Sequence, residues 1–557
     1  MTPIIVGKNR LSSPKGRWLR GLGALVVVLV ILVVMANAVV LRMTAIRPPP
    51  AEPSAELPLS VRGPRAHVGE SWMTRERGMF ELHLDGDPYA MGYAHARLGN
   101  RQMIEAEDYM FDEMHRYVPS SVALALLRIG VRYRYRHLPD HIPLDRQREI
   151  AGEARAALDR HGDFLPAYHR FVFYHALHDI TQGLEHSPLL GCSAFAAAGP
   201  ATTNGHLVIG RNFDFEGPEP FDRNKAVLFF KPKDKIPFAS VSWPGMTGVV
   251  TGMNAAGIYM SINAARTDDK GEDGIPVELL VREVLENAHS IDEVMAIVKR
   301  QPVMVPDFYL VGDGKTGESA VIERSPTRTE VRRSRDTTLL TNHALTPAFA
   351  KDVENDRLRR YTTSGARYRR LAELVEQNHG AIDPRRALDI LRDKKGVGGA
   401  PLGLGNRNAL DAIIATHSVV VDATALQLWV SQGPHCLGRY VGYDLRKELL
   451  GEDHPSPPDL PPDPVADSDE YRAYVEATAQ LGFARSLMDE GQMDHALEAA
   501  ERAAELSEMM PEPHKLLGDL LRGRDRERAR KEYRRFLELQ PPYLHEIEEV
   551  RGILSSL

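Results

Sequence analysis

The sequence contains very little cysteine. Only Cys192 and Cys436 occur among 557 residues, so a disulfide framework is excluded. It also lacks an excess of positive charge, because 69 basic residues stand against 76 acidic ones and the formal net charge is -7. A nucleic-acid-binding protein would first show a basic footprint, and we therefore expect no nucleic-acid partner.

Three familiar functional patterns are missing as well. No G-x-S-x-G motif occurs, so Thr416-His417-Ser418 does not predict a serine triad. Residues 396–406 are rich in glycine but lack the GK[ST] ending of a phosphate-binding loop, and we expect a mobile loop on the substrate side. His175 and His178 have no second cluster of ligands nearby, so neither a metal nor an organic cofactor is expected.

One long apolar run is present at residues 21–41, which carry no charge and are long enough to cross a hydrocarbon core of about 30 Å as a helix. Basic residues are concentrated before this run, which by the positive-inside rule places residues 1–20 in the cytoplasm. The sequence thus predicts a single-pass membrane protein whose catalytic part lies on the non-cytoplasmic side, periplasmic or extracellular. A removable signal peptide is the alternative, because Ala36-Asn37-Ala38 resembles a cleavage site.

Composition and periodicity divide the remaining chain into five parts. Residues 42–80 are predicted to form a Pro-rich tether, and 81–191 show the three- and four-residue apolar spacing of helices. Short β-type runs and helices fill 192–451, which predicts two packed sheets covered by helices. A Pro/Asp linker at 452–470 precedes a wholly helical domain at 471–557.

The helical domain contains an internal repeat. Small residues at Ala496 and Ala500 correspond to Ala529 and Tyr533 one repeat length later, a spacing close to the ~34 residues of tetratricopeptide repeats. This spacing predicts a repeat-like domain that binds a protein partner. A generic helical hairpin with small residues at the crossings is the alternative.

The neighbourhood of Cys192 predicts nucleophilic chemistry, although a buried structural thiol is the ordinary role of a lone cysteine. Gly191 supplies an unhindered carbonyl and can adopt the strained backbone that attack by the Cys192 thiol on the preceding peptide bond requires. Cleavage there would free an α-amine whose pKa in model compounds is about 8, and this amine can act as the general base beside the thiol. The pattern therefore predicts a self-cleaving cysteine enzyme.

Arg211 and Asp214 lie in the next β-type run, HLVIGRNFDF, which follows an Asn204-Gly205 turn. A hairpin of this kind brings both residues back beside Cys192. We expect the Asp214 carboxylate to hold the new ammonium group and the Arg211 guanidinium to lower the thiol pKa. A surface ion pair is the alternative.

Five motifs carry a resemblance to a known family: GCSAFAA, GRNFDF, NAAGIYMSIN, LTNHAL and SGARYRRL, in this order. With them the chain resembles the penicillin acyltransferase-like branch of the N-terminal-nucleophile hydrolases, with choloylglycine hydrolases and acid ceramidase as more distant relatives. The resemblance covers residues 81–444 and implies an α+β fold, a four-layer αββα sandwich. It also implies an inactive precursor that is cleaved between Gly191 and Cys192.

The resemblance assigns roles to further residues. It implies that Arg211 and Asp214 line the site of the Cys192 nucleophile, and that Asn263 donates to the oxyanion. Asn342 and Arg367 match polar residues that complete the substrate pocket. A neutral amide donor suits this role, because it stabilises a developing oxyanion without requiring a proton.

These features predict a self-cleaving amidohydrolase or acyltransferase that acts on a small-molecule acyl-amide through a thioester. The alternative function is a membrane-anchored interaction protein, in which the repeat-like tail binds a partner and the hydrolase-like domain is inactive. The acyl group, the leaving amine and the balance between hydrolysis and transfer depend on pocket shape, which the sequence does not reveal.

Overall fold

A computed structural model describes residues 37–182, 190–215 and 219–557, together with Val27, Val28, Ile31 and Met35. Its strands are, in chain order, β1 Ser60–Arg62, β2 Arg65–Val68, β3 Ser71–Thr74, β4 Phe80–Gly86, β5 Leu190–Gly199, β6 Gly205–Phe215, β7 Ala226–Pro232, β8 Phe238–Ser242, β9 Thr251–Asn254, β10 Ile258–Ala264, β11 Asp307–Asp313, β12 Glu318–Arg324, β13 Thr329–Ser334, β14 Thr337–Leu340, β15 Ala415–Asp422, β16 Gln427–Ser431 and β17 Tyr440–Asp444.

Residues 37–43 are helical. The α-helices with both bounds in these ranges are α1 Pro88–Tyr117, α2 Ser121–Arg134, α3 Leu144–Ala156, α4 Ala167–Tyr174, α5 Leu177–Gln182, α6 Glu219–Arg223, α7 Val277–Asn287, α8 Ile291–Arg300, α9 Val353–Tyr361, α10 Ser364–Gln377, α11 Pro384–Leu391, α12 Asp469–Asp489, α13 Met493–Leu506, α14 Pro511–Leu521, α15 Arg526–Glu538 and α16 Leu544–Ser556.

The strands form two sheets. Sheet A has the order β1-β2-β3-β4-β7-β8-β9-β10-β11-β12-β13, and sheet B has the order β14-β5-β6-β15-β16-β17. Only β4 and β7 pair in parallel among the strands that the structure describes. The runs AVLFFKP in β7 and ATHSVVVD in β15 are rich in β-branched and aromatic residues and are buried on both faces, as expected for strands in the middle of a layered protein.

The two sheets pack face to face, and helices cover their outer faces. Alternate residues of both sheets fill the space between them, including Ala194, Phe229, Tyr259, Leu310 and Val419. The opposite face of sheet A packs on α1, α3, α7 and α8, while that of sheet B packs on α10 and α11. The layer order is therefore helix, sheet, sheet, helix, and the predicted α+β class is confirmed.

The segment predicted as a Pro-rich tether is shorter than expected, because β1 to β3 lie within residues 60–74 and join the edge of sheet A. Gly63 and Gly69 have φ values of 60° and 59°, a conformation that glycine adopts readily and that tight hairpin turns need. The proline-rich composition ends at Pro58, before β1, and Pro64 lies in the turn between β1 and β2. Beyond that point the two turns, rather than an extended linker, determine the path of the chain.

The predicted membrane location is wrong. Most of residues 21–41 lie outside the described part of the chain, as does Ala36 of the alternative cleavage site, and within the described part no helix is long and apolar enough to span a bilayer. The end of the apolar run is bound to the protein instead. Arg132 donates to the Leu41 carbonyl oxygen at 3.1 Å and to Thr44 Oγ1 at 3.0 Å. The membrane partner and the non-cytoplasmic location are therefore not retained.

The Pro/Asp linker is fixed to sheet B rather than loose. Leu460 forms a β-bridge with Tyr440, and the Trp429 indole donates to the Pro458 carbonyl oxygen at 2.9 Å. Asp459 forms an ion pair with Arg77 at 2.8 Å. The linker consequently holds the C-terminal helices at a defined place on the fold.

Helices α12 to α16 follow the Pro/Asp linker and pack on one another. The residues of the internal repeat are buried between them, including the small Ala484, Ala496, Ala500 and Ala529 and the large Tyr533. Gly518 lies against the Tyr533 ring, which leaves no space for a larger side chain. The assignment to tetratricopeptide repeats stays a prediction.

Candidate functional site

Cys192 lies near the start of β5, and the hairpin predicted from the Asn204-Gly205 turn places it opposite β6. The register pairs Cys192 with Phe213, Ala194 with Arg211, and Gly191 with Asp214. Gly205 has a φ of 78°, which suits the turn that joins the two strands. The period-2 alternation of strands then distributes the side chains over two faces of sheet B.

The Cys192 thiol and the Arg211 side chain point into the space between the sheets, because both share a face with Ala194 of the inter-sheet core. Asp214 lies on the opposite face, beside Gly191 and toward the helices that cover sheet B. The hairpin therefore brings both predicted residues to Cys192, one on each side of the strand.

Arg211 is fully buried and its guanidinium is directed at the thiol. Its Nη2 atom lies 3.9 Å from Cys192 Sγ and also donates to the Ile262 carbonyl oxygen. Its Nη1 atom donates to Thr251 Oγ1, and its carbon Cζ lies 4.8 Å from the centre of the Phe213 ring. Burial raises the pKa of the Cys192 thiol above its ordinary value, while the Arg211 charge acts in the opposite direction.

His417 completes the surroundings of Arg211. Its Nε2 atom lies 3.1 Å from Arg211 Nη1 and 2.9 Å from Thr251 Oγ1, and its ring stacks on Phe213 with centroids 5.0 Å apart. Burial, together with the charge of Arg211, lowers the pKa of His417 well below its usual range. The imidazole is consequently neutral and accepts a hydrogen bond from the guanidinium without cancelling its charge.

Sequence analysis missed this role of His417, which it considered only as part of a serine triad. The available signal was a histidine at an inward-facing position of the buried strand ATHSVVVD. Thr251, in β9, carried no signal, because its proximity to Arg211 depends on the stacking of the two sheets.

Asp214 is buried on the other side of Cys192, next to Arg367. Burial raises the pKa of its carboxyl group to about 7, and the charges of Arg367 and Arg407 oppose this effect. Its Oδ1 atom has no hydrogen-bond partner among the described residues. A buried carboxyl group with unused acceptor capacity and a pKa near neutrality is typical of a functional site.

Gly191 differs from the expectation of a strained backbone. It is paired as a regular strand residue and is not among the residues with positive φ. A Cβ atom added to it would lie 3.5 Å from Arg367 Nη2 and 3.6 Å from Asp214 Oδ2, which are ordinary contact distances. The unhindered carbonyl, rather than strain, is therefore the property that Gly191 offers.

Asn342 and Arg367 bind the backbone of Cys192 directly. Asn342 Oδ1 accepts the Cys192 backbone N–H at 3.1 Å, and Arg367 Nη2 donates to the same oxygen at 2.7 Å. Arg367 Nη1 donates to the Cys192 carbonyl oxygen at 2.5 Å and to Ser193 Oγ at 2.9 Å. Both predicted pocket residues thus contact the predicted nucleophile itself.

Asn263 lies one step further from Cys192, at the end of β10. Its amide donates to the Thr341 carbonyl oxygen at 2.9 Å, while the Asn342 amide donates back to the Ala264 carbonyl oxygen at 2.9 Å. The side chain is fully buried, and no hydrogen bond joins it to Cys192 in the part of the chain that the structure describes. Its amide group has two N–H donors, and Thr341 uses one of them.

The two histidines considered as a metal pair have separate partners. His175 Nε2 lies 3.0 Å from Glu153 Oε2, and His178 Nε2 lies 3.0 Å from Asp307 Oδ1. Within the described ranges, no group of three or more His, Cys, Asp or Glu side chains is arranged to hold a metal ion.

Cys436, the second thiol, lies apart from this arrangement. Its Sγ atom donates to Asp411 Oδ1 at 3.0 Å, and burial raises its pKa well above the usual value. A protonated, inaccessible thiol of this kind has a structural role.

Comparisons with known proteins show which proteins the chain is similar to. Residues 201–398 match the family described as acyl-coenzyme A:6-aminopenicillanic acid acyl-transferase, a segment that begins after Cys192. An uncharacterized protein of Archaeoglobus fulgidus is 25% identical over 370 residues, which are 59% of this chain and 60% of that protein. Acid ceramidase of Pan troglodytes is 26% identical over 147 residues, which are 22% of this chain and 36% of the ceramidase.

The chain thus matches less than two thirds of the length of either relative. Among solved structures, a Caenorhabditis elegans ortholog of N-acylethanolamine-hydrolyzing acid amidase is 17% identical with a TM-score of 0.32, and the match covers 42% of this chain and 93% of that one. The predicted resemblance to the penicillin acyltransferase-like proteins is confirmed by the family match over residues 201–398.

Proposed function

We propose that the chain is a self-cleaving cysteine amidohydrolase or acyltransferase of the N-terminal-nucleophile type. One observation carries the proposal: the backbone and thiol of Cys192 are both held by polar side chains, with its N–H on Asn342 and its sulfur 3.9 Å from Arg211. A structural cysteine needs neither contact. The family match supports the reaction class.

Self-cleavage begins with attack of the Cys192 thiolate on the carbonyl carbon of Gly191. The bond from this carbon to the Cys192 nitrogen breaks, the nitrogen takes up the proton that the thiol lost, and Gly191 is left bound to Sγ as a thioester. Water then hydrolyses the thioester, releases the Gly191 carboxylate and regenerates the thiol. The contact of Asn342 Oδ1 with the departing nitrogen orients the peptide bond during this step.

Turnover reuses the same groups after the α-amine of Cys192 is free. The amine, held by Asn342 Oδ1, takes the proton of the thiol, and the thiolate attacks the acyl carbonyl of the substrate. Arg211 stabilises the thiolate, and the second N–H of Asn263 with a backbone N–H stabilises the oxyanion. The ammonium group then protonates the leaving amine, and water or an acceptor amine resolves the thioester.

Asp214 has a distinct part in this scheme. Asp214 pairs across the strands with Gly191, the residue that precedes Cys192, and its Oδ2 atom would lie 3.6 Å from a Cβ atom on Gly191. Its carboxyl group is therefore close to the position of the new ammonium group. Ionised Asp214 stabilises that ammonium. Arg367 holds the Cys192 carbonyl oxygen by a hydrogen bond, and its charge favours the ionised form of the Asp214 carboxyl group. No metal or organic cofactor takes part in any step of the proposed mechanism.

A thioester intermediate is compatible with an amide as the acyl donor. We infer a small-molecule acyl-amide with a linear amide bond, and the names of the relatives, acid ceramidase and an N-acylethanolamine-hydrolyzing acid amidase, support this class. The alternative function, a membrane-anchored interaction protein, depended on the membrane location that has been corrected above. It also leaves the converging contacts of Arg211, Asn342 and Arg367 on Cys192 without a purpose.

Turnover can be tested with the purified chain and a panel of N-acyl amino acids, acylated β-lactam nuclei, small peptides and lipid or bile-acid amides. We expect release of free amine from at least one class, together with a mass increase on the peptide that contains Cys192 during the reaction. Cys192→Ala should show neither signal, and Cys436→Ala is the matched control that should retain both. Equal amine release by Cys192→Ala would refute the proposal.

A further inference from the structure

The glycine-rich segment at residues 396–406 is not a phosphate-binding loop but the place where the C-terminal helices approach the hydrolase core. A Cβ atom on Gly403 would collide with the carbonyl oxygen of Met509, which lies just before α14. Gly405, with a φ of 80°, lies against the hydroxyl group and ring of Tyr474 in α12. The absence of side chains at these two positions permits contact between the backbone of the segment and the helices.

A hydrogen bond continues this contact. Asn406 Nδ2 donates to the Gln540 carbonyl oxygen at 3.2 Å. Gln540 lies between α15 and α16 with a φ of 55°, which turns the chain toward the segment. Three separate parts of the C-terminal helical domain therefore contact a stretch of four residues, 403–406.

The same stretch continues directly to the candidate site. The Leu410 carbonyl oxygen accepts a hydrogen bond from Asn212 at 3.0 Å, two residues before Asp214 in β6. Between these contacts, the charge of Arg407 acts on the Asp214 carboxyl group on one side and on Glu512 and Tyr474 of the helices on the other. Arg407 thus directly follows Asn406, which binds the helices, and comes three residues before Leu410, which binds β6 beside the site.

A second route from the helices reaches the other side of Asp214. Tyr543, at the start of α16, lies close enough to Arg367 for the two groups to interact electrostatically. Arg367 in turn donates to the Cys192 carbonyl oxygen. Both arginines beside Asp214 are therefore near residues of the C-terminal helices.

We propose that the C-terminal helices form the outer wall of the site, and that their docking on Gly403 and Gly405 makes Arg407 a positioning residue that controls the charge of Asp214. The role of the helices as a wall of the site rests on the function proposed for Cys192. The helices then have a role within the enzyme itself, in addition to any partner they bind.

The charged groups around Asp214 determine what the loss of Arg407 would do. They are Arg367, Arg407, Asp411 and Arg211, with the Cys192 thiol. Asp411 is itself paired with Lys394 at 2.7 Å. Removing one positive charge raises the pKa of a carboxyl group, so Arg407→Gln should move the pKa of Asp214 upward from about 7.

This shift has a definite effect on stability. The pKa of Asp214 is higher in the folded chain than the ~3.9 of an unfolded one, so folded Asp214 keeps its proton over a pH range in which the unfolded chain has lost it. The stability that this bound proton contributes is therefore lost as the pH rises toward 7. Because Arg407→Gln raises the pKa of Asp214 further, the variant continues to lose stability above pH 7. The gap in melting temperature between the wild-type chain and the variant should therefore widen above about pH 7.

Arg407→Lys is the matched control, because it keeps the positive charge and should show a gap that does not change with pH. A purely structural role of Arg407 would likewise give a constant gap. The same comparison in an Asp214→Asn background separates Asp214 from Glu512, since the widening must disappear there. A constant gap for Arg407→Gln, or a widening that persists with Asp214→Asn, would overturn the assignment of Arg407.

Docking is tested with Gly403→Ala, since its added methyl group would meet Met509. Gly396→Ala is the control in the same segment, because its Cβ would lie 3.3 Å from the movable side chain of Leu402 and its φ is -81°. We expect faster hydrogen exchange in residues 508–521 for Gly403→Ala only, with the same widening of the melting-temperature gap above pH 7. Faster exchange without the widening, or unchanged exchange, would contradict the inference.

Both measurements are independent of turnover. They decide the role of the helices even if the chain neither cleaves itself nor releases an amine. Conversely, a failure of Cys192 to react would refute the proposed function and leave the docking of the helices to be judged by exchange and melting alone.

Discussion

Nε2 of His417 lies 3.1 Å from Nη1 of Arg211, and the other terminal nitrogen of this guanidinium lies 3.9 Å from Cys192 Sγ. A neutral imidazole orients the guanidinium while leaving its positive charge intact. A carboxylate at the same place would form an ion pair and reduce the field at the sulfur. The pairing of Arg211 with His417 is therefore suited to stabilising a thiolate.

His417→Asp should raise the pKa of the Cys192 thiol above its wild-type value, because the new carboxylate neutralises Arg211. His417→Gln keeps a neutral acceptor and should leave the thiol pKa close to the wild-type value. The pH dependence of iodoacetamide labelling, followed on the peptide that contains Cys192, measures both. Identical profiles for the two variants would show that His417 does not act through Arg211.

Asn263→Ala should lower kcat by roughly 100- to 1000-fold with little change in KM, because its N–H acts on charge that develops only in the transition state. Asn254→Ala is a suitable control, since that buried asparagine donates to the Leu285 and Ala288 carbonyl oxygens away from the site. It should lower the melting temperature and spare kcat. A variant at Asn263 with normal turnover and reduced stability would leave the oxyanion to backbone donors.

Asn342→Ala should slow self-cleavage by roughly tenfold or more, because the N–H of Cys192 and the Nη2 atom of Arg367 both lose the oxygen that accepts their hydrogen bonds. The fraction of cut chain against time, read from denaturing gels, gives the rate. Asn355→Ala serves for comparison, because Asn355 binds the backbone of Ala344 nearby without touching Cys192. Equal slowing in both variants would point to general loosening of this region.

The activity of the processed chain should rise with pH through about 7, where Asp214 becomes ionised and able to stabilise the Cys192 ammonium group. In Asp214→Asn, kcat/KM should no longer rise with pH in this range, and its maximum value should be lower. If kcat/KM of Asp214→Asn still rises through about pH 7, another group is responsible for the titration.

Much of the hairpin around Cys192 could be predicted from local sequence. The Asn204-Gly205 turn and the alternation of β5 and β6 together determine the register that brings Arg211 and Asp214 to Cys192. The partners of Arg211 could not be predicted in this way. Thr251 and His417 lie on β9 and β15, and only the packing of one sheet on the other brings them together.

The contacts of the glycine-rich segment at residues 396–406 also depend on packing between distant parts of the chain. Its composition indicates a loop and predicts a mobile one on the substrate side. Gly403 instead lacks a side chain because the backbone before α14 occupies that space. A contact between residues so far apart in the chain leaves no local pattern in the sequence.

The N-terminal apolar run shows where composition alone misleads. Its length and the charges that precede it predict a membrane anchor, yet Arg132 of α2 binds the end of the run through the Leu41 carbonyl oxygen and Thr44. These contacts are made by backbone and hydroxyl groups, which hydropathy does not register.

The central claim is that Cys192 cleaves the bond that precedes it. Intact mass spectrometry with N-terminal sequencing of the purified chain measures this directly, using Cys192→Ala and Cys436→Ala prepared in parallel. The account predicts a fragment that begins at Cys192 in the wild-type chain and in Cys436→Ala, and a single uncut chain in Cys192→Ala. Cleavage of Cys192→Ala at the same bond, or a wild-type chain that stays whole, would contradict it.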